Sequence, residues 1–318
     1  EPTFLKPQTN LVSPFEPIEV TIASNTSCMR GKSASFVQHI EFDLTGTALE
    51  GTFKPGQSIG VTPPGVDALG RPEGARLYSI SSPSFGEDGA GKIVTTTCKR
   101  LIDQFDPQYG EGQVAVSGLH LGVCSNYLGS LKSGDKVLVS GPSGKKFCLP
   151  EAVEQHNYVF VATGTGIAPY RGMVKELLYG PQGPTKRQIH VVMGVPYTSD
   201  LLYDEFFREA ASVHPNLHYH TVVSREYGTD GALQGYVHDY LRRTPAIGDG
   251  VLGQEETLLY MCGLKGMQVG VYQYLAVHGL EDAYLRIPKP LIGTDPSAWT
   301  ALDARRIRPK SRCLVEVY

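Results

Sequence analysis

The chain has 318 residues, with 29 Lys and Arg against 32 Asp and Glu, a net charge of −3 at pH 7 and 41% hydrophobic residues. Its length suffices for a substantial core and is typical of two domains. The near balance of charge disfavours a nucleic-acid-binding protein, which would carry a concentrated basic face. No apolar run is long enough to span a bilayer and no leader pattern is present, so neither membrane insertion nor an intact targeting signal is expected.

The first half of the chain has the two-residue period of half-buried strands. The segment PIEVTIA alternates Ile18, Val20 and Ile22 with polar residues. The same pattern recurs in VQHIEFDL, KIVTTTC, QVAVS and KVLVS, between turns rich in Gly, Pro and Asp. Short strands with frequent turns predict an antiparallel β-barrel domain over residues 1–152.

The second half alternates strands and helices. The strand-like YVFVA, RQIHVVMG, LHYHTVVS and TLLYMCG are separated by helical segments such as MVKELL and DLLYDEFFREAA. This order predicts an α/β domain over residues 153–318, with a parallel five-stranded sheet covered by helices on both faces.

The six cysteines are widely spaced and include no C-x-x-C pair. Such a pair would indicate zinc, a redox dithiol or an iron–sulfur cluster. We therefore expect reduced thiols in an intracellular protein and no metal site in the chain. Any redox chemistry would then need a bound organic cofactor or a partner's metal.

Glycine-rich turns follow two of the predicted parallel strands. In TGTGIAP, residues 163–169, the glycines allow close backbone approach and Pro169 suits a first helical turn, where free N–H groups attract phosphate. The spacing differs from G-x-G-x-x-G, so a tight βα turn without a ligand is the alternative. YMCGLKGM, residues 260–267, again places glycines where open α/β sheets bind ligands, although Cys262 there is equally suited to a buried core position.

A hydroxyl and a cation follow another strand. Ser224 and Arg225 are adjacent, with Tyr236 a short way on. A hydroxyl and a guanidinium can bind a phosphate monoester and a tyrosine ring can stack on adenine, as a 2′-phosphoadenosine requires. Ser and Arg are also common neighbours at strand ends, so the pair alone does not decide between binding and an ordinary surface.

Six motifs occur in the order and spacing of plant-type ferredoxin–NADP(+) reductases: RLYSISS, GVCSNYLGSLKSGDKVLVSGPSGK, ATGTGIAPYRGM, VSRE, YMCGLKGM and the terminal VEVY. The chain resembles this family from about residue 15 onward. The resemblance implies an FAD-binding barrel domain and an NADP-binding α/β domain. It also implies hydride transfer between NADPH and FAD, and single-electron transfer between FAD and a ferredoxin-type iron–sulfur protein or a flavodoxin.

The resemblance implies specific FAD contacts. Arg76 would bind the pyrophosphate, Tyr78 would cover one face of the isoalloxazine, and Ser79 would hydrogen-bond near flavin N5. Ser81, Ser82 and Ser84, which complete ARLYSISSPS, are interpreted as turn and backbone-bonding residues. The other residues implied at FAD are Leu77, Thr97, Cys98, Lys99, Val123, Cys124, Ser125, Thr165 and Tyr318.

By the same resemblance, Ser224, Arg225 and Tyr236 form a clamp that favours NADPH over NADH. The further NADP contacts would be Lys99, Thr165, Val195, Pro196, Gly263, Leu264 and Glu316. Four residues would act in catalysis: Ser79, Cys262 in the wall that orients the nicotinamide, Glu316 in proton traffic, and Tyr318 as the ring stacked on the flavin.

The chain departs from the family in three places. Ile102-Asp103 stand where the family has a tyrosine stacked on the FAD adenine, and Tyr109 is a candidate replacement. Gln234 and His238 stand near Tyr236 where the family has Lys and Gln, with His238 interpreted as a solvated helix residue. The tail from residue 288 is longer, and its basic residues suit either an acidic ferredoxin or a solvated face: Arg305, Arg306, Arg308, Lys310 and Arg312.

These departures leave alternative functions open. One is the reductase component of an oxygenase system, similar to that of benzoyl-CoA epoxidase. Another is a nucleotide-binding regulatory module without turnover. The expected location is the cytoplasm, with the plastid stroma as the alternative.

Overall fold

The structure is a computed structural model of the chain and describes residues 1–31, 33, 35–104, 119–227 and 232–318. The strand predicted in QVAVS and the candidate adenine-stacking residue Tyr109 lie outside these residues.

The N-terminal part of the chain is built from antiparallel strands. They are β1 (Ile18–Ser27), β2 (Val37–Asp43), β3 (Ser58–Thr62), β4 (Arg76–Ser79), β5 (Ile93–Lys99), β6 (Ile102–Gln104), β7 (Leu119–Leu121) and β8 (Lys136–Ser143), with helix α1 (Val123–Ser130) before β8. Within the described part of the chain, a six-stranded sheet has the order β4-β3-β8-β1-β2-β5, and β6 pairs with β7. The predicted antiparallel domain is confirmed.

The two edges of this sheet meet. Ile80, just after β4, forms an antiparallel bridge with Thr96 of β5, and the Ser81 N–H donates to the Thr95 carbonyl at 2.8 Å. Closure removes the unpaired edges and encloses an apolar core. Ile22 and Phe42 lie fully buried in the resulting barrel core.

The C-terminal part forms a parallel sheet. Its elements are α2 (Ala168–Tyr179), α3 (Asp204–Val213), α4 (Val237–Arg243), α5 (Lys265–Val277), α6 (Glu281–Tyr284) and α7 (Ala301–Arg306), with strands β9 (Asn157–Thr163), β10 (Ile189–Val195), β11 (Leu217–Val223), β12 (Leu233–Gln234), β13 (Thr257–Gly263), β14 (Leu285–Arg286), β15 (Arg308–Pro309) and β16 (Cys313–Val317). Within the described residues, the parallel sheet has the strand order β12-β11-β10-β9-β13-β16, so it has six strands rather than the predicted five. Strands β14 and β15 form a separate antiparallel pair. The two-residue β12, parallel to β11 at one edge, is too short to show a strand period.

Two cores cover the faces of the parallel sheet. One contains Phe160 and Tyr170, and the other contains Val271 and Trp299. Continuous burial on both faces explains why β9, β10 and β13 are near-continuous apolar runs. The domain boundary proposed after residue 152 falls between β8 and β9, and it stays a prediction.

The long tail contributes to the second of these cores. Trp299 is buried there, and its Nε1 donates to Thr294 Oγ1 at 3.0 Å. Gln273 of α5 donates to the Trp299 carbonyl at 2.8 Å, which ties the tail to α5. The additional residues therefore extend the packed domain. None of the helices in the described ranges is long and apolar enough to cross a membrane.

Three histidines stack on neighbouring strands β10 and β11. The ring centroids of His190 and His218 are 4.6 Å apart, and those of His190 and His220 are 5.7 Å apart. Burial, with smaller contributions from the neighbouring histidines, lowers the pKa of His190 to about 3 and that of His220 to about 4. The folded protein therefore holds the His190 and His220 rings neutral at pH values where these two residues are already protonated in the unfolded chain.

We predict that stability falls as the pH drops below about 6.5, the ordinary histidine pKa, towards 4. The unfolded state takes up protons first, so each of these histidines can lower the free energy of unfolding by up to about 1.4 kcal/mol per pH unit. Urea unfolding at pH 7.5, 6, 5 and 4.5 checks this, with His190→Phe as the comparison. The variant should show the shallower pH dependence, and equal slopes would contradict the assignment.

Candidate active site at the domain interface

Strand β4 brings a cation and an aromatic ring to the surface of the barrel. Arg76 is half-exposed and pairs with Glu73, with Nη2 2.9 Å from Oε2. Tyr78 is partly buried, and its hydroxyl contacts the thiols of Cys98 and Cys124. Burial, with the two thiols, raises the pKa of Tyr78, so the phenol stays neutral. Leu77, between them, is largely exposed.

Helix α1 places a free N-terminus close to Arg76. The helix begins at Val123 without a side-chain cap. The Ser125 hydroxyl accepts from the Leu101 N–H at 3.0 Å. Burial raises the pKa of Cys124, whereas hydrogen bonding to Tyr78 and the nearby charge of Arg76 lower it. An uncapped helix N-terminus beside a guanidinium is suited to bind phosphate oxygens.

The residues of β5 lie in three different environments. The Thr97 and Tyr203 hydroxyls share a hydrogen bond of 2.6 Å, so Thr97 faces the α/β domain. Cys98 is buried and its thiol donates to the Ser125 carbonyl at 3.8 Å. Lys99 is exposed. Lys99 is therefore the most exposed of the three, and the Thr97 hydroxyl is already hydrogen-bonded to Tyr203.

Thr163, at the end of β9, organises the turn that follows β13. Its Oγ1 accepts from the Leu264 N–H at 2.8 Å. Gly263 has a φ of +137°, and a Cβ there would lie 2.2 Å from Thr163 Oγ1. Only glycine allows this approach and backbone conformation. Sequence reasoning gave Thr163 no role, although it begins the motif TGTGIAP.

The C-terminal ring is held at the same edge of the sheet. The Tyr318 and Thr165 hydroxyls share a hydrogen bond of 2.7 Å, and the Tyr318 N–H donates to the Gly263 carbonyl at 3.0 Å. The residue keeps 55% of its surface exposed. Tyr318 is therefore tethered at its backbone and its hydroxyl while much of its surface remains accessible.

A hydroxyl from the barrel meets a carboxyl from the α/β domain. Ser79 Oγ donates to Glu316 Oε2 at 3.5 Å. Glu316 of β16 lies in register with Cys262 of β13. Burial raises the pKa of Glu316, with the Ser79 hydrogen bond acting in the opposite direction. Burial also raises the pKa of Cys262, and the charge of Glu316 adds to this effect. The site thus combines a proton-retaining carboxyl with a neutral thiol.

The predicted phosphate clamp lies at the ends of β10 and β11. The Ser224 N–H donates to the Val195 carbonyl at 3.0 Å, and the Arg225 N–H donates to the Pro196 carbonyl at 2.9 Å. These bonds hold the two strand ends together and leave the Arg225 side chain exposed. The structure therefore brings Val195, Pro196, Ser224 and Arg225 to one edge.

Tyr236 presents a ring beside this edge. It is 62% exposed and lies parallel to the His238 ring, with centroids 5.7 Å apart. His238 is only partly exposed and packs closely on Gly270 of α5. Its interpretation as a solvated residue was therefore incomplete, because it supports the Tyr236 ring from behind.

Comparison with known proteins identifies the family. Residues 160–273 match the family model described as an oxidoreductase NAD-binding domain. The chain is 34% identical over 277 residues to the root-type ferredoxin–NADP reductase of Nicotiana tabacum, covering 85% of this chain and 71% of that protein. The chain belongs to the ferredoxin–NADP reductase family. The ferredoxin–NADP reductase of Spirulina sp is 32% identical over 265 residues, covering 82% of this chain and 86% of that protein.

The solved structures agree on the fold. The ferredoxin–NADP+ reductase of Plasmodium falciparum superimposes with a TM-score of 0.69 at 24% identity, covering 97% of this chain and 99% of that one. The same enzyme with 2′P-AMP gives a TM-score of 0.69 at 23% identity. The two-domain reductase architecture is thus shared at low sequence identity.

Ferredoxin–NADP reductases use FAD and NADP(H), and the described residues fit both. The uncapped start of α1 beside Arg76 suits a pyrophosphate, and Tyr78 and Tyr318 supply rings from opposite domains. The described residues contain no cluster of His, Cys, Asp and Glu arranged for a metal ion. In this family the redox chemistry belongs to the organic cofactors FAD and NADP(H).

Proposed function

We propose that this chain is an FAD-dependent ferredoxin–NADP reductase that transfers electrons between NADPH and a ferredoxin-type iron–sulfur protein. The observation that carries the proposal is the convergence of Ser79, Cys262, Glu316 and Tyr318 at one edge of the parallel sheet. These residues come from β4, β13 and β16 and from the chain terminus, across two domains. A site divided in this way suits two ligands that must meet face to face.

The proposed binding roles follow from position. Arg76, Tyr78 and the start of α1 would hold FAD on the barrel. Ser224, Arg225 and Tyr236 would hold the 2′-phosphoadenosine of NADPH on the α/β domain. When bound, NADPH and FAD supply hydride transfer and the conversion between two-electron and one-electron steps. The protein supplies orientation, polarity and exclusion of water.

Ser79 and Glu316 are proposed to handle the proton. The raised pKa of Glu316 allows its Oε2 to retain a proton nearer neutral pH than an exposed carboxyl would. The Ser79 hydroxyl, 3.5 Å away, both donates and accepts and so connects this carboxyl to the barrel side of the cleft. Cys262 stays a thiol, because its burial disfavours the thiolate.

Tyr318 is proposed to be a displaceable cover. Moving the ring breaks the hydrogen bond with Thr165, a loss of about 0.5–1.5 kcal/mol for a typical neutral pair. The backbone bond to Gly263 can keep the chain end in place while the ring moves. Thr163 would hold the Gly263-Leu264 turn in shape for the nicotinamide that enters.

The acceptor is proposed to be a ferredoxin, with a flavodoxin as the alternative, and the location to be intracellular. In the tail, Arg312 donates to the Gln254 carbonyl at 3.1 Å, and Lys310 is committed to the Asp282 carbonyl. The exposed residues Arg305, Arg306 and Arg308 remain the better candidates to face an acidic partner. An oxygenase reductase component and a regulatory module are not favoured, because the curated relatives that match most of the chain are ferredoxin–NADP reductases.

Anaerobic stopped-flow reduction tests the proposal. The purified protein should carry flavin absorption that NADPH bleaches much faster than NADH does. Turnover with a ferredoxin should follow, and flavodoxin serves as the second acceptor. A protein that binds no flavin, or whose flavin NADPH does not bleach, would exclude the reductase function. Bleaching without transfer to ferredoxin would leave a flavoenzyme with another acceptor.

A further inference from the structure

Three charged side chains join helix α2 to the segment that follows β4: two cations on the helix and one carboxylate on the segment. Arg171 Nη1 donates to Glu87 Oε1 at 2.5 Å and to the Ser81 carbonyl at 2.9 Å, and Arg171 Nη2 donates to Glu87 Oε2 at 3.1 Å. Lys175 Nζ lies 2.7 Å from Glu87 Oε2. Glu87 thus accepts from two cations one helical turn apart, and all three belong to a contact between domains.

Helix α2 makes further contacts with the same segment. Glu176 accepts from the Ser84 N–H at 2.7 Å and from the Ser84 hydroxyl at 2.8 Å. Gly172 packs so closely that a Cβ there would lie 2.4 Å from the Ser82 carbonyl oxygen. The segment 81–87 is therefore held at four points by successive turns of α2. We name the cluster of Glu87, Arg171 and Lys175 the interdomain clasp.

The clasp is largely shielded from water. The exposed fractions of the Arg171, Glu87 and Lys175 side chains are 12%, 16% and 18%. Burial alone would raise the pKa of Glu87, but the hydrogen bonds and charges of Arg171 and Lys175 outweigh it and lower the pKa to about 2. The carboxylate stays ionised at every pH at which the protein would work. Charge-assisted bonds of this kind are stronger and more directional than neutral ones.

The opposite face of Arg171 rests on the α/β domain. Its guanidinium lies 5.1 Å from the centroid of the Tyr203 ring and 5.6 Å from that of Phe206. The Tyr203 hydroxyl in turn bonds to Thr97 at 2.6 Å and to His39 at 2.8 Å, both on the barrel. Arg171 is therefore fixed on both sides and has little freedom to follow a shift of Glu87.

The same helix connects the clasp to the site. Immediately before α2, the turn Gly164–Ile167 carries Thr165, which holds Tyr318. One turn into the helix, Arg171 binds the Ser81 carbonyl, two residues beyond Ser79. Helix α2, together with the turn that precedes it, thus contacts both the segment that follows Ser79 and the ring of Tyr318.

We propose that the interdomain clasp is a positioning device that sets the separation of Ser79 and Glu316 across the domain interface. The inference rests on the proposed reductase function and gives a role to the serines of ARLYSISSPS that the sequence analysis assigned to turns. Glu87 touches neither proposed ligand in this reading and acts through the segment that it anchors.

Glu87→Gln in the holoenzyme tests the proposal. The kcat for NADPH-dependent ferricyanide reduction, expressed per bound flavin, should fall about tenfold, because a small misplacement of reacting groups is costly. The KM for NADPH should change less than twofold, since the clamp at Ser224 and Arg225 is elsewhere. Hydrogen exchange of the peptide covering residues 81–87 should accelerate at least tenfold, with the Ser84 amide as the principal reporter.

Two further variants sharpen the test. Asp67→Asn removes the same charge from an ion pair confined to a barrel loop, with Arg71 Nη2 2.7 Å from Asp67 Oδ2. It should leave kcat, KM and the hydrogen exchange of residues 81–87 unchanged. Glu87→Gln/Lys175→Gln should be no slower than Glu87→Gln, because both changes break the same contact.

Unchanged exchange in Glu87→Gln, or a raised KM with kcat intact, would overturn the proposal. A merely structural role would lower thermal stability and flavin content but leave kcat per flavin unchanged. Failure of the reductase function would show instead as no NADPH-dependent turnover in the unaltered protein, and the exchange measurement would still report on the clasp.

Discussion

Replacing Ser79 with valine should lower the NADPH-dependent turnover number by about a hundredfold or more while the protein keeps its FAD. The Ser79 hydroxyl donates to Glu316 from the opposite domain. Valine has neither a donor nor an acceptor and carries two methyl groups in place of the serine hydroxyl, so the carboxyl loses its connection to the barrel. Loss of one well-placed donor in an active site costs about 10²–10³ in rate. Arg76 and Tyr78 remain, which is why flavin should stay bound.

Stopped-flow reduction under anaerobic conditions measures this effect, and the ratio of flavin to protein absorbance reports cofactor content. Ser79→Thr is the matched control, because it retains the hydroxyl and should keep most of the activity. Turnover of Ser79→Val at the unaltered rate would remove Ser79 from the proposed mechanism. Loss of flavin from Ser79→Val would instead give Ser79 a binding role.

Local patterns predicted the two halves of the fold because each strand carries its own period. The alternation in β1 and the continuous apolar runs of β9, β10 and β13 directly reflect one-sided and two-sided burial. The edge strand β12 was missed, because a two-residue strand has no period. Its pairing depends on where the chain returns in space.

The candidate site was predicted through family resemblance and not through pattern. Ser79 and Glu316 are 237 residues apart in the chain, so no local signal joins them. The same holds for Ser84 and Glu176, which are separated by 92 residues. A serine beside proline is typical of a turn, and only the packing of α2 on the barrel shows that Ser84 also bonds across domains.

The charged groups at the domain interface are of two kinds. The paired ions of the clasp are ionised and satisfied, which favours a fixed geometry. Glu316, by contrast, is partly buried near a hydroxyl with no cation in its described hydrogen bonds or ion pairs, which favours the protonated form. The proposed roles therefore assign the fixed ionic contact to positioning and the carboxyl of raised pKa to proton handling.

Replacing Arg225 with leucine should remove most of the preference for NADPH over NADH. Its exposed guanidinium follows β11, next to the Ser224 hydroxyl, and is the group best suited to a 2′-phosphate in the proposed clamp. A hydrogen bond to a charged group contributes about 1.5–3 kcal/mol, so kcat/KM for NADPH should fall about 10–150-fold. NADH lacks this phosphate, and its kcat/KM should change less than threefold.

Steady-state kinetics with both nucleotides measure this change in specificity. Arg242→Leu is the matched control: it removes the same charge from the nearby helix α4, where Arg242 pairs with Asp239 at 3.3 Å, and should leave the ratio of the two kcat/KM values unchanged. The ratio of the two kcat/KM values in Arg225→Lys should lie between those of Arg225→Leu and Arg242→Leu, because an ammonium keeps the charge but not the planar fork. Equal losses for NADPH and NADH in Arg225→Leu would show that Arg225 acts on the shared part of the nucleotide or on the fold. Unchanged kcat/KM values for both nucleotides would place the 2′-phosphate elsewhere.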